Sequence, residues 1–246
     1  MTFHFREKNI AISFGKLFLL LIVVCVIVGV ALFARRVTGY YRAIKTGQVN
    51  PLVEQRLDAS FSRLVANAHV TADDLKRLDA TGAPSMGPAH AKLTIVEFLD
   101  FDCPYCEQVF PTAREIMSAY QDRVRFVMRN FPIEELHPRA PMLAEAALCA
   151  HEQGAYWAFH DKLYTEPDHH EDADLARFAE ASGMSVAAFQ SCLQSHQKTS
   201  VVKADLADGL RAGVQGTPTF FFNGIKVQGA MDRETMEFLI KRFLSQ

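Results

Sequence analysis

An apolar, β-branched run that ends beside two cysteines leaves few folds open to this chain. Leu93-Thr94-Ile95-Val96-Glu97-Phe98-Leu99 reads as a buried strand. Asp100-Phe101-Asp102 and Cys103-Pro104-Tyr105-Cys106 follow at once. Glu107-Gln108-Val109-Phe110 and then Ala113 to Tyr120 predict a helix, kinked at Pro111. A structural zinc site needs a second CxxC or a His pair at ligand spacing, and the sequence has neither. The pair therefore reads as a redox site. Cys103 falls at the helix N-terminus, where unpaired N–H groups and the positive end of the dipole favour a thiolate. Cys106 lies one turn further in, within reach for an S–S bond yet shielded from solvent, so Cys103 is the exchanging thiol and Cys106 the resolving one. Pro104 suits the first helical turn, where its missing N–H is not needed.

Gly216-Thr217-Pro218-Thr219-Phe220-Phe221-Phe222-Asn223-Gly224-Ile225-Lys226-Val227 reads as a proline-led strand, a two-residue Asn-Gly turn and a second strand. Asp232 then caps a closing helix to Phe243, with Met236, Leu239, Ile240 and Phe243 on one face. Strand, CxxC helix, and a late Thr-Pro before a hairpin and a last helix resemble the DsbA-like branch of the thioredoxin superfamily, over roughly residues 89 to 246. The resemblance implies an α/β thioredoxin fold with a helical insertion and a thiol–disulfide oxidoreductase that needs no cofactor. Pro218 matches the family's cis-proline beside the active-site disulfide. Thr217 matches the residue that hydrogen-bonds substrate backbone, with Pro104 and Tyr105 also facing substrate. Glu97 matches the buried acid implicated in proton transfer at the resolving cysteine.

Ahead of this domain, residues 1–16 form a tail and Leu17 to Ala34 an apolar run broken only by Gly29. At 1.5 Å per residue it spans about 27 Å, close to a bilayer's hydrocarbon thickness. An uncleaved anchor is the favoured reading and a signal peptide its rival, since a cut after Ala34 would leave Leu32 where a small residue is wanted. Arg6, Lys8 and Lys16 precede the run, but Arg35, Arg36, Arg42 and Lys45 follow it, so charge gives no N-in signal. The family's need for an oxidising compartment places the C-terminal domain in the periplasm or its equivalent. A net charge of −2 argues against nucleic acid as a partner. Residues 35–88 read as a connector in which Val53, Leu57, Phe61, Leu64 and Ala68 recur at helical spacing. That stripe suits either a spacer packed on its own domain or a stalk for homo-oligomers. Thr71 caps a short helix, Ala72 to Leu78, before a Gly/Pro linker.

After a strand at Val124–Phe131, a mainly helical stretch, about 137–213, is far longer than one crossover needs. Helices are predicted at about 141–153, 155–164, 174–181, 186–193 and 199–212. The resemblance implies that this insertion lies over the site, shapes a groove for partner chains and carries a structural disulfide, Cys149 to Cys192; two buried thiols are the alternative. Pro167-Asp168-His169-His170-Glu171-Asp172 reads as a solvated loop rather than a metal site, and His137 and His160 as surface or packing residues.

The direction of redox traffic stays open. The family's strongest oxidants have a histidine before the second cysteine, where Tyr105 offers a neutral hydroxyl. Asp100 and Asp102 are expected to oppose a negative sulfur on Cys103. Thr217 resembles isomerase- and reductase-type relatives, whereas anchored relatives with a Pro-Tyr dipeptide serve as oxidases. The implied partners are exported proteins with thiols or disulfides, and a membrane redox partner that resets the site.

Overall fold

The computed structural model describes residues 14–45, 58, 60, 61 and 71–245. Helix α1 (Phe14–Lys45) contains a largely apolar segment, Leu20–Gly39, long enough to cross a membrane; a signal sequence has the same character. The segment extends past the expected end at residue 34 and takes in Arg35 and Arg36, whose long stems can lie along apolar surroundings while the charge reaches water.

The C-terminal unit is built on a five-stranded sheet in the order β1-β3-β2-β4-β5. Its strands are β1 (Ser85–Met86), β2 (Leu93–Leu99), β3 (Val124–Asn130), β4 (Thr219–Phe222) and β5 (Ile225–Gln228). Strands β2 and β3 run parallel, joined through α3 (Pro104–Tyr120), which continues through Pro111. Strand β4 is antiparallel to β2, and Asn223-Gly224, both at positive φ, turn it into β5. Strand β1 already pairs with β3, so the sheet begins upstream of the expected domain boundary at residue 89. Two residues carry no periodicity by which sequence could find such a strand.

Central strands buried on both faces explain the continuous apolar runs. Leu93, Ile95, Leu99, Phe220 and Phe222 join one cluster, under α3 and α9 (Arg233–Leu244). Val96, Phe98, Val127, Phe131 and Phe221 form a second on the opposite face, under α8 (Thr199–Arg211). Gly209 makes that approach possible, because a Cβ there would meet the Phe131 ring at 2.6 Å. Helix α2 (Ala72–Leu78) packs beside α8 with Leu78 in the second cluster, and Thr71 caps it through a reciprocal capping box with Asp74.

Of the apolar stripe in the connector, Val53, Leu57, Leu64 and Ala68 lie outside the described residues. Phe61 is buried edge-on between Phe238 and Phe243 of α9, and Asp58 pairs with Arg242 at 3.3 Å. At that position the stripe packs on its own domain.

The insertion comprises α4 (Ala140–Glu152), α5 (Tyr156–Thr165), α6 (Asp172–Ala181), α7 (Val186–Gln194) and α8. Their bounds fall within two residues of the expected ones, because Gly154, Gly183 and Gly213 at positive φ end α4, α6 and α8. Cys149 of α4 and Cys192 of α7 form a disulfide across a sequence separation of 43. A loop of that length is worth about 4 kcal/mol in the chain-entropy account of cross-linking. The insertion and the sheet thus share one mixed α/β domain, a thioredoxin fold with a helical insertion.

Candidate active site

Cys103 is the N-cap of α3, Pro104 occupies the first helical position, and the Cys103 carbonyl accepts from the N–H groups of Cys106 and Glu107 at 3.0 and 3.1 Å. The helix therefore starts on Cys103, whose sulfur meets the N–H groups of Tyr105 and Cys106 at the positive end of the dipole. Both cysteines are free thiols. Cys103 Sγ lies 3.5 Å from the Thr217 carbonyl oxygen, and the Thr217–Pro218 bond is cis. The chain thus brings together residues more than a hundred positions apart. The Thr217 hydroxyl is buried without a hydrogen-bond partner among the described residues. Pro104 and Tyr105 face solvent, Tyr105 with 63% of its surface exposed.

Electrostatics separate the two sulfurs. A hydrogen bond from the Cys106 thiol brings the Cys103 thiol down to about 5 against the opposing cost of burial, with help from the N–H groups of Cys106 and Tyr105. Burial pushes Cys106 well up, and the nearby Cys103 and Glu97 charges add to the rise. Glu97, mid-strand in β2, is buried, and burial alone pushes its carboxyl up to about 8. The site thus holds one thiolate, one thiol and a protonated acid at neutral pH.

The Glu97 shift makes stability depend on pH. Its carboxyl titrates near 4.5 when unperturbed and near 8 in the fold, so between these values the folded chain binds the extra proton and loses stability as pH rises. Glu97→Gln removes that dependence. In urea unfolding followed by Trp157 fluorescence, the wild type is expected to lose about 2 kcal/mol more than the variant between pH 5 and pH 7. Parallel stability curves would show that Glu97 is ionised in the fold.

Asp100 does not act as expected. Its side chain is fully buried and accepts from the N–H of Asp102 (2.8 Å), the N–H of Ile133 (2.9 Å) and His137 Nδ1 (2.8 Å). Its negative charge is therefore compensated by donors instead of standing free against Cys103. Its carbonyl meanwhile accepts from the Cys103 N–H at 3.2 Å and the Tyr164 hydroxyl at 3.2 Å. Asp100 thus ties the active-site turn to the β3–α4 loop and to α5. His137, read from sequence as a surface or packing residue, sits at the site. A lone histidine in a loop carries no signal that it will meet an aspartate 37 positions away. His170 is likewise buried instead of solvated, with Nε2 3.0 Å from the Leu163 carbonyl and Nδ1 3.9 Å from Asp102. His160 is buried among Phe101, Phe110, Tyr156 and Tyr164, a packing role.

Comparison with known proteins agrees with this geometry. Residues 79–242 match the model of a family described as thioredoxin. A thioredoxin-like oxidoreductase from Silicibacter pomeroyi DSS-3 superimposes with a TM-score of 0.61 at 26% identity, covering 72% of this chain and 99% of that one. The thiol–disulfide exchange protein alpha-DsbA2 from Wolbachia pipientis shares the fold with a TM-score of 0.62 at 16% identity, covering 80% of this chain and 99% of its own. A Na(+)/H(+) antiporter, NhaA 3 of Salinispora tropica, is 40% identical over 150 residues, 61% of this chain. This chain spans only 23% of that relative's length, and the antiporter name belongs to the longer protein. With the family match extending over most of the chain, and its sheet, cysteine pair and cis-proline arranged as described, the protein belongs to the thioredoxin family, its fold carrying a helical insertion.

Proposed function

We propose that the protein is a membrane-anchored thiol–disulfide oxidoreductase that donates the Cys103–Cys106 disulfide to exported proteins. The observation that carries this reading is the placement of Cys103 at the N-terminus of α3, 3.5 Å from the carbonyl of the residue before the cis-proline, with Cys106 buried one turn further in. A stable leaving thiolate makes the disulfide form ready to be given away. In the exchange, a substrate thiolate attacks Cys103 Sγ, and Cys106 leaves as a thiolate that takes up a proton, with Glu97 nearby as its proton source. A second substrate thiolate then attacks the substrate sulfur of the mixed disulfide and releases Cys103 as a thiolate. Two substrate thiols become a disulfide, and their two electrons rest on the cysteine pair until a membrane redox partner withdraws them. Exposed Pro104 and Tyr105 and the buried Thr217 frame the sulfur where the substrate chain would lie. Helix α1 provides the anchor, with the catalytic domain on the oxidising side.

The test is the reduction potential of the Cys103–Cys106 pair, from equilibration of the full chain in detergent with glutathione redox buffers. A donor is expected to lie between about −120 and −180 mV. A value at about −230 mV or below would overturn donation and leave a reductase.

A further inference from the structure

Four groups that can carry charge converge at the start of α3: Cys103, Asp100, Asp102 and His137. Asp100 is wholly buried, and two of its three hydrogen bonds come from backbone N–H groups of different loops. The third is the imidazole of His137, whose side chain is 16% exposed. Nδ1 is therefore committed to Asp100 while the ring remains open to exchange protons with solvent. We propose that His137, clamped by Asp100, is a positioning residue that sets the thiolate character of Cys103, its imidazolium offsetting the negative charge gathered at the helix start. This rests on the thiol-exchange reading of the site and deepens it.

The other neighbours leave this task to His137. Asp102 is partly exposed and faces His170, whose buried ring donates from Nε2 to the Leu163 carbonyl. Arg139, two residues on, is spent on the His170 carbonyl and on Glu171 at 2.9 Å. Glu97 lies under Cys106 and is protonated at neutral pH. Burial works to lower the His137 pKa, but the hydrogen bond and charge of Asp100, then the charges of Cys103 and Asp102, hold it above its ordinary value. That coupling is reciprocal. If the imidazolium favours the Cys103 thiolate, the thiolate must favour the imidazolium by the same free energy.

Two measurements on the full chain in detergent test this. The first is NMR titration of the His137 ring in the wild type, in the dithiol and the disulfide forms. The ring pKa is expected to be higher in the dithiol form by about half a unit, a threefold change in proton affinity. Equal values in the two forms overturn the proposal, and no variant is needed to see it. The second is the pH profile of Cys103 alkylation in the wild type and in His137→Asn, whose amide can still donate to Asp100 but carries no charge. The variant is expected to show its Cys103 inflection shifted upward, and to lose the second inflection at which the imidazolium deprotonates. Superimposable profiles mean that His137 is only a structural tie. Failure of the thiol reading itself looks different, because wild-type Cys103 would then alkylate no faster than Cys106.

Discussion

Cys103→Ala is expected to reduce insulin-reduction and oxidative-refolding activity to the background of the buffer thiols, while in Cys106→Ala the Cys103 thiolate still attacks a disulfide of insulin, releases one insulin thiolate and accumulates as the mixed disulfide. The asymmetry follows from the site. With its pKa brought down to about 5, Cys103 is held mainly as the thiolate at pH 7. Cys106 is buried, raised well above its ordinary value, and cannot substitute as nucleophile. Cys149 and Cys192 are tied to each other. Cys25 lies in α1, in the apolar segment long enough to cross a membrane. Turnover by the Cys103→Ala chain at the wild-type rate would place the chemistry elsewhere. Mass spectrometry that found no adducts on the Cys106→Ala chain would remove Cys106 from its resolving role.

The largest effect on stability is expected away from the cysteines. Arg129 of β3 is 1% exposed, yet it carries a full charge. Its Nε donates to Asp205 and its Nη2 to Asp208, each at 2.6 Å, while Nη1 donates to the Leu78 carbonyl at 3.0 Å and to the Arg77 carbonyl. Asn130 completes the Asp205 shell through its N–H (3.0 Å) and side-chain amide (2.8 Å). One guanidinium thus joins the sheet to α8 and to the end of α2. Burial raises the Asp208 carboxyl, but Arg129 and Arg211 together hold it below its usual range. Arg129→Leu leaves Asp205 buried without its cation and strands two carbonyls. The expected loss is about 3–5 kcal/mol, read as a shift in the urea midpoint. Adding Asp205→Asn, which removes the unpaired charge and keeps an acceptor oxygen for Asn130, should recover part of it. A single variant as stable as the wild type would show that water reaches the cluster. Neither change touches the cysteine pair, so the activity of the folded fraction should be unaltered.

Local pattern was enough for the longer elements. The β-branched run at 93–99, the helical repeats of the insertion and the Asn223-Gly224 turn each declare themselves within a few residues, because side-chain period and turn chemistry act over that range. The cysteine pair and the Thr-Pro before the hairpin were legible for the same reason. Sequence alone thus determined the class of fold, the order of its elements from β2 onward and the apolar N-terminal helix. Contacts between distant segments were not legible, and those decided the electrostatics. Whether Asp100 opposes the thiolate depends on where its carboxylate points, and three donors from two separate loops turn it toward the β3–α4 loop. His137, His170 and Arg129 carry no local mark of their partners. Strand β1 is too short to have a period, and only its pairing with β3 reveals it. Charge interactions depend on distance and burial in space, and for these residues both are set by the packing of the insertion against the sheet.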